Sequence, residues 1–135
     1  MKKVLFLCTG NSCRSQLAEA IVNARLGDEW QAFSAGTKPA GFVHPKALQA
    51  LEEIGIHHTG VSKTADQFRD LDFDLVVTVC DSAAEECPLW LGKGKRVHRG
   101  FPDPAATDKL DDFRNVRDEM ERTMIELLRS QSEAQ

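Results

Sequence analysis

Apolar positions along this chain alternate between short runs and segments in which they recur every three or four residues. The short apolar or β-branched runs predict strands at residues 4–7, 31–35, 74–80 and 96–98. The segments with helical spacing predict helices from the loop after residue 8 to about residue 26, from 45 to 54, and from 109 to 129. Gly27 and Gly55 stand where the first two helices should end, and the tail from residue 130 is expected to fray.

This order of elements predicts an α/β fold, a four-stranded parallel sheet with helices on both faces. At 135 residues the chain fits a single domain, 1–135, with one core that needs no disulfide staples. Ligands of such sheets bind beyond the carboxyl ends of the strands. Cys8, Cys80 and Asp103 all follow predicted strands at that edge, so we expect them to converge on one site.

Composition excludes several classes of partner. The net charge is −4 and positive and negative residues are mixed, which argues against a nucleic-acid footprint or a polybasic membrane patch. The apolar run at residues 4–7 is too short for a secretory signal. We therefore expect a cytoplasmic protein, in which the four cysteines have chemical rather than structural roles.

The main chemical signal is the segment 8–15, which reads Cys-Thr-Gly-Asn-Ser-Cys-Arg-Ser between the first strand and the first helix. Backbone N–H groups of a Gly-containing loop that opens a helix can bind an oxyanion, and Arg14 can hold two of its oxygens. The same positive field favours the thiolate of Cys8, and the Ser15 hydroxyl can donate to that sulfur. We predict attack by Cys8 on a bound oxyanion; the alternative is a small buried cysteine at a strand end.

A second signal is the pair Cys80 and Cys87, which flanks a segment whose Ala and Glu residues favour a short helix. Two helical turns would hold the thiols roughly 10 Å apart along the axis. A disulfide requires Cα atoms about 4.4 to 6.8 Å apart, so the helix must unwind before the pair can bond. We hypothesise a redox switch here; the equally open alternative is a buried strand-end cysteine and an unrelated surface thiol. The four cysteines lack the paired short spacing of a zinc site.

Four segments together resemble one known family. They are residues 8–19, Cys-Thr-Gly-Asn-Ser-Cys-Arg-Ser-Gln-Leu-Ala-Glu; residues 34–37, Ser-Ala-Gly-Thr; Val79-Cys80 with Cys87-Pro88; and residues 101–104, Phe-Pro-Asp-Pro. The family is that of the thioredoxin-coupled arsenate reductases, which share the low-molecular-weight tyrosine phosphatase fold, a flavodoxin-like three-layer sandwich. The resemblance covers most of the chain, and the downstream cysteine pair is what points to the reductases.

The resemblance implies a relay of three thiols. Cys8 would attack arsenate held by Arg14, with Asp103 as the general acid that protonates the departing oxygen. Cys80 would then attack Cys8 and release arsenite, and Cys87 would resolve the Cys8–Cys80 disulfide to Cys80–Cys87. The substrate would be bound by Thr9, Gly10, Asn11, Ser12, Cys13, Arg14 and Ser15.

The resemblance also implies the partners. Reducing equivalents would come from thioredoxin, or from a glutaredoxin or another thiol system in its place, and no organic cofactor would be bound. We expect a monomer, because no oversized apolar stripe is present.

Some members of the family also bind potassium near the loop of residues 8–15, which we call the cradle. Asn11, Glu19 and Ser34 match three of the potassium ligands, but the region of the fourth, residues 62–65, reads Ser-Lys-Thr-Ala and has no carboxylate. A lysine ammonium in that region can replace the cation. The four histidines show no ligand spacing and are expected to be surface or packing residues.

Two other functions use some of the same residues. A low-molecular-weight protein tyrosine phosphatase would use Cys8, Arg14 and Asp103 with water as the second nucleophile. Such phosphatases usually carry an aromatic residue after the Asp-Pro pair, where this chain has Ala105, so only weak activity on aryl phosphates is expected. A phosphocysteine carrier module would need neither Arg14 nor the cysteine pair.

Overall fold

The computed structural model describes residues 1–80, 92 and 94–133. Within these residues, four parallel strands form one sheet in the order β2-β1-β3-β4. The strands are β1 (Lys2–Cys8), β2 (Trp30–Gly36), β3 (Leu75–Thr78) and β4 (Lys95–His98). All four lie where the apolar runs predict them, and the predicted parallel sheet is confirmed.

Three α-helices connect and follow the described strands. They are α1 (Arg14–Arg25), α2 (Pro45–Glu52) and α3 (Leu110–Glu133), and two short 3-10 helices span Ala65–Phe68 and Pro104–Ala106. The α2 helix ends two residues before its predicted end, and Gly55 follows with a φ of +79°. The expectation of a frayed tail from residue 130 is wrong as far as Glu133, because polar residues continue the backbone ladder of α3.

The two faces of the sheet are covered unequally. Alternate residues of β1 point to opposite sides: Val4 and Phe6 pack with the buried faces of all three α-helices, whereas Leu5 and Leu7 join a smaller cluster. The described cover of that smaller cluster is the 3-10 helix Ala65–Phe68 with neighbouring phenylalanines. Helices therefore flank both faces, but on the second face the described one is a single 3-10 segment.

The carboxyl edge of the sheet gathers the predicted chemistry. Cys8 is the last residue of β1, and Cys80 lies two residues beyond the end of the neighbouring β3. The loop after β4 leads to Asp103, which begins the 3-10 helix Pro104–Ala106. The predicted helix between Cys80 and Cys87, and Cys87 itself, lie outside the described residues. Among the helices that are described, none has the length and apolar character needed to cross a membrane.

Candidate active site

The loop between β1 and α1 is fixed by hydrogen bonds that its carbonyl oxygens accept from backbone N–H groups of residues 38–44. The carbonyl oxygen of Thr9 accepts a hydrogen bond from Lys38 N (3.0 Å), that of Gly10 from Ala40 N (2.9 Å), and that of Ser12 from His44 N (2.9 Å). In a trans peptide the next N–H points the opposite way. The N–H groups of residues 10, 11 and 13 therefore face the concave side of the loop, an arrangement that suits the binding of an anion.

The Cys8 sulfur lies inside this cradle and receives two hydrogen bonds. Asn11 N is 3.3 Å from Sγ, and the Ser15 hydroxyl oxygen is 2.9 Å from it. Asn11 takes up a left-handed backbone conformation, with φ of 49°, which points its N–H at the sulfur. Two hydrogen-bond donors therefore converge on the sulfur that the sequence predicts to be the nucleophile.

The direction of the Ser15 hydrogen bond follows from its neighbours. Asn11 Oδ1 must accept, because Lys63 N (2.7 Å) can only donate, so the Asn11 Nδ2 group faces Ser15 Oγ at 2.8 Å and donates to it. The Ser15 hydroxyl proton is then available for Cys8 Sγ. Gln16 braces the arrangement, since its Nε2 lies 3.0 Å from Asn11 Oδ1 and 2.9 Å from Val61 O, while His58 Nε2 donates to its Oε1 at 2.8 Å.

Arg14 and Asp103 form the other wall of the site. The Arg14 side chain is only 5% exposed; its Nη1 donates to Phe101 O (3.3 Å) and its Nη2 lies 4.0 Å from Asp103 Oδ2. The Asp103 side chain is 41% exposed and also accepts from Ala105 N at 3.0 Å. Asp103 can therefore reach both Arg14 and an incoming ligand. A guanidinium and a carboxyl on one wall suit an oxyanion whose leaving oxygen must be protonated.

A cavity of about 240 Å³ opens over this loop and suits a small tetrahedral anion. Its lining residues are Cys8, Gly10, Ser12, Cys13, Arg14, Ala40, Phe42, His44, Asp103 and Ala105. A larger, more open depression lies along the charged outer side of α3, and none of the described cysteines lines it. The smaller cavity is therefore the candidate active site.

The remaining described cysteines differ from Cys8. Burial, together with the negative charge of Asp103 and of Cys8, raises the pKa of the Cys13 thiol to about 12, so that this thiol stays protonated. Cys8 and Cys13 are free, whereas Cys80 is buried and disulfide-bonded. Cys13 therefore contributes to the cradle through its backbone and not as a nucleophile.

The three candidate potassium ligands are arranged in a way that does not fit a metal ion. Asn11 Oδ1 already accepts from Lys63 N and Gln16 Nε2, and Ser34 Oγ donates to Glu19 Oε1 at 3.0 Å. The Lys63 ammonium lies 3.8 Å from the same Glu19 oxygen. A second cation there would be repelled by this ammonium and would find the side-chain oxygen of Asn11 engaged.

Several residues of the site were not identified from the sequence. His44 is not merely a surface residue: its Nδ1 accepts from Lys46 N (3.1 Å) at the start of α2, and it lines the cavity. Gln16 and His58 form a partly buried hydrogen bond, and Phe42 stands 55% exposed at the cavity. Residue type gave no signal for these roles, because each depends on contacts across 42 or more positions or on the course of a loop.

Comparison with known proteins places this site in a familiar context. The sequence model of the family "Low molecular weight phosphotyrosine protein phosphatase" matches residues 3–135. An arsenate reductase of Halalkalibacterium halodurans is 48% identical over 125 residues, 88% of this chain and 89% of the relative.

Solved structures agree with this. An arsenate reductase of Archaeoglobus fulgidus superposes with a TM-score of 0.81 at 33% identity, covering 92% of this chain and 97% of its own. A thioredoxin-dependent arsenate reductase of Corynebacterium glutamicum superposes with a TM-score of 0.74 at 27% identity, over 100% of this chain and 64% of its own.

Proposed function

Because the chain belongs to the low molecular weight phosphotyrosine protein phosphatase family and matches arsenate reductases along most of its length, we propose that it reduces arsenate to arsenite. The observation that carries this proposal is the Cys8 sulfur. It accepts from Asn11 N and lies within hydrogen-bond distance of Ser15 Oγ, in a cavity that Arg14 and Asp103 also line. This is a nucleophile prepared for a tetrahedral oxyanion.

In the first step the Cys8 thiolate attacks the arsenic of bound arsenate. A sulfur–arsenic bond forms and an arsenic–oxygen bond breaks, and the departing oxygen leaves as water after taking the proton of Asp103. Arg14 and the inward N–H groups balance the charge on the remaining oxygens. Arsenic keeps its oxidation state in this step.

Electrons move in the second step. The Cys80 thiolate attacks Cys8 Sγ, the sulfur–arsenic bond breaks with its electron pair left on arsenic, and arsenite departs. Cys87 then attacks Cys80, which frees Cys8 as a thiol and leaves a Cys80–Cys87 disulfide. One arsenate thus consumes two thiols and gives one arsenite, one disulfide and water.

The redox state of the described cysteines supports this order. Cys80 is in a disulfide while Cys8 is free, which is the state expected once the last exchange has released the nucleophile. The disulfide must then be reduced from outside by a dithiol of the thioredoxin type. The likeness to the thioredoxin-dependent arsenate reductase of Corynebacterium glutamicum favours thioredoxin over a glutaredoxin or a small thiol. No bound organic cofactor takes part in the proposed steps.

A phosphatase is the second candidate, and one observation favours it as a side activity. Phe42 stands exposed at the cavity and offers an aromatic surface to an aryl phosphate, whereas Ala105, which also lines the cavity, offers none. Cys8, Arg14 and Asp103 would serve both reactions alike. Only the reductase requires Cys80 and Cys87.

The relay is tested by arsenate-dependent NADPH consumption with thioredoxin and thioredoxin reductase. Cys8→Ser, Cys80→Ser and Cys87→Ser are each expected to lose at least about 100-fold in kcat/KM, because each removes a required nucleophile. Hydrolysis of p-nitrophenyl phosphate should be lost in Cys8→Ser only.

Cys13→Ser is the matched comparison, since it also removes one thiol. Because the Cys13 thiol is held protonated, we expect this variant to lose less than about ten-fold. Full reductase activity without Cys80 or Cys87 would refute the relay and leave the phosphatase.

A further inference from the structure

Behind the cradle lies a carboxylate that takes no part in the proposed chemistry. The Glu19 side chain on α1 is 13% exposed, and its Oε1 accepts a hydrogen bond from Ser34 Oγ at 3.0 Å. Burial raises the pKa of Glu19 above its ordinary value, and the positive charge of Lys63 opposes that rise. A buried carboxylate of this kind needs a cation beside it if it is to stay charged.

Two basic side chains face Glu19 among the described residues. His58 Nε2 lies 3.6 Å from Oε2, but burial and the neighbouring charge of Lys63 lower the pKa of His58, so this ring is neutral at about pH 7. The Lys63 ammonium lies 3.8 Å from Oε1, with its side chain only 20% exposed. Within the described part of the chain, Lys63 is therefore the basic side chain that can balance the charge of Glu19.

The backbone of Lys63 meets the cradle directly. Lys63 N donates to Asn11 Oδ1 at 2.7 Å, and Lys63 O accepts from Gly36 N at the end of β2 at 2.9 Å. Its ammonium also donates to Val61 O at 2.6 Å, which holds the segment close to Glu19. A contact that fixes the position of Lys63 therefore also orients the Asn11 amide. Through that amide it orients Asn11 and Ser15, the two residues that donate hydrogen bonds to Cys8.

We propose that Lys63 is a positioning residue whose ammonium serves as a built-in counter-cation for Glu19, in place of a bound potassium ion. Held there, Lys63 keeps Asn11 in the orientation that supplies Cys8 with its hydrogen bonds. The effect on catalysis rests on the proposed reductase function. The effect on stability does not, so the two can be separated by experiment.

The decisive experiment is a double-mutant cycle between Glu19→Gln and Lys63→Gln, measured in chloride salts of tetramethylammonium, sodium and potassium at constant ionic strength. Lys63→Gln should lower Tm and reduce kcat/KM on the order of ten-fold in tetramethylammonium. Potassium should restore part of both, because it can supply the missing positive charge. In the Glu19→Gln background the same change should cost little, because no charge remains to be balanced.

Two further variants serve as controls. Lys63→Arg keeps the positive charge and should retain kcat/KM within about three-fold. Lys38→Gln removes the same charge from an exposed side chain near the cradle and should leave Tm and the response to potassium as in the unmodified protein.

Three results would overturn the proposal. They are an unchanged Tm in Lys63→Gln, an equal loss of Tm with and without the Glu19 charge, and a several-fold selective stimulation of the unmodified enzyme by potassium over sodium. If the unmodified enzyme shows no arsenate reduction at all, the proposed function fails, but the cycle in Tm still tests the role of Lys63.

Discussion

The directions of the hydrogen bonds around Cys8 are set by a group that can only donate. A backbone N–H can only donate, so Lys63 N decides which end of the Asn11 amide faces Ser15. The Ser15 hydroxyl, having accepted from Asn11, turns its proton to the sulfur. The direction of the hydrogen bonds to the nucleophile is thus imposed by Lys63, which lies 52 positions beyond Asn11 in the sequence.

Removal of this hydroxyl gives a prediction at the residue scale. Ser15→Ala takes one of two donors from the Cys8 thiolate, and hydrogen bonds to charged groups are worth about 1.5–3 kcal/mol. We therefore expect kcat/KM for arsenate to fall roughly 10- to 100-fold. Alkylation of Cys8 by iodoacetamide at neutral pH should slow in parallel, which steady-state kinetics and mass mapping would measure.

Ser130→Ala makes the same chemical change on an exposed position of α3 and should alter neither rate. An unchanged alkylation rate in Ser15→Ala would mean that the Ser15 proton does not point at the sulfur.

At the scale of elements, the end of β2 supports the cradle through close backbone contact. A Cβ atom on Gly36 would lie 2.4 Å from Thr9 O and 3.0 Å from Asn11 N. Gly36 N is also bonded to Lys63 O, so that this strand end is clamped between the cradle and the segment that holds Asn11. The position needs glycine because the backbones approach too closely for a side chain. A left-handed conformation is not the reason, since the φ of Gly36 is not positive.

Gly36→Ala is therefore expected to push the cradle away from the strand. We predict a loss of about 1–3 kcal/mol in the free energy of unfolding, measured by urea denaturation, with a larger fractional loss of activity. Gly10→Ala is the stability control, because a Cβ there would meet nothing closer than 3.9 Å. Equal stability of the two variants would contradict the close-approach argument.

At the scale of the whole molecule, the cluster behind the cradle makes stability depend on pH in two opposite ways. The pKa of Glu19 is raised by burial. Its stabilising contribution to the free energy of unfolding is therefore complete when the pH is below 4.5, the ordinary pKa of the group, and is lost as the pH rises through the raised pKa. The pKa of His58 is lowered, so its contribution is present above its ordinary value of 6.5 and is lost as the pH falls through the lowered pKa.

Two substitutions separate these contributions. The Tm of Glu19→Gln, relative to the unmodified protein, should rise as the pH goes from about 4 to about 8, because a charge that is hard to bury has been removed. The relative Tm of His58→Gln should rise instead as the pH falls from about 8 to about 5. Thermal unfolding across this range measures both, and slopes of the same sign would rule out the assignment.

Much of this protein was determined by local sequence. The apolar run that becomes β1, the β-branched run that becomes β3, the helical spacing that becomes α3, and the segment 8–15 each carry their information within a few neighbouring residues. The sheet, its parallel sense and the family were predicted on that basis and are confirmed. The unwinding of the segment between Cys80 and Cys87 stays a prediction, because that segment lies outside the described residues.

Tertiary structure alone decided how the cradle is supported. The contacts from Lys63 to Asn11 and Glu19, and from His58 to Gln16, join residues more than 40 positions apart. Such polar contacts have no periodicity that a sequence could display, since they arise only when parallel strands and their connecting loops bring distant segments to one edge. The sequence therefore predicted which group attacks, and the folded chain determined how that group is oriented and which charge lies behind it.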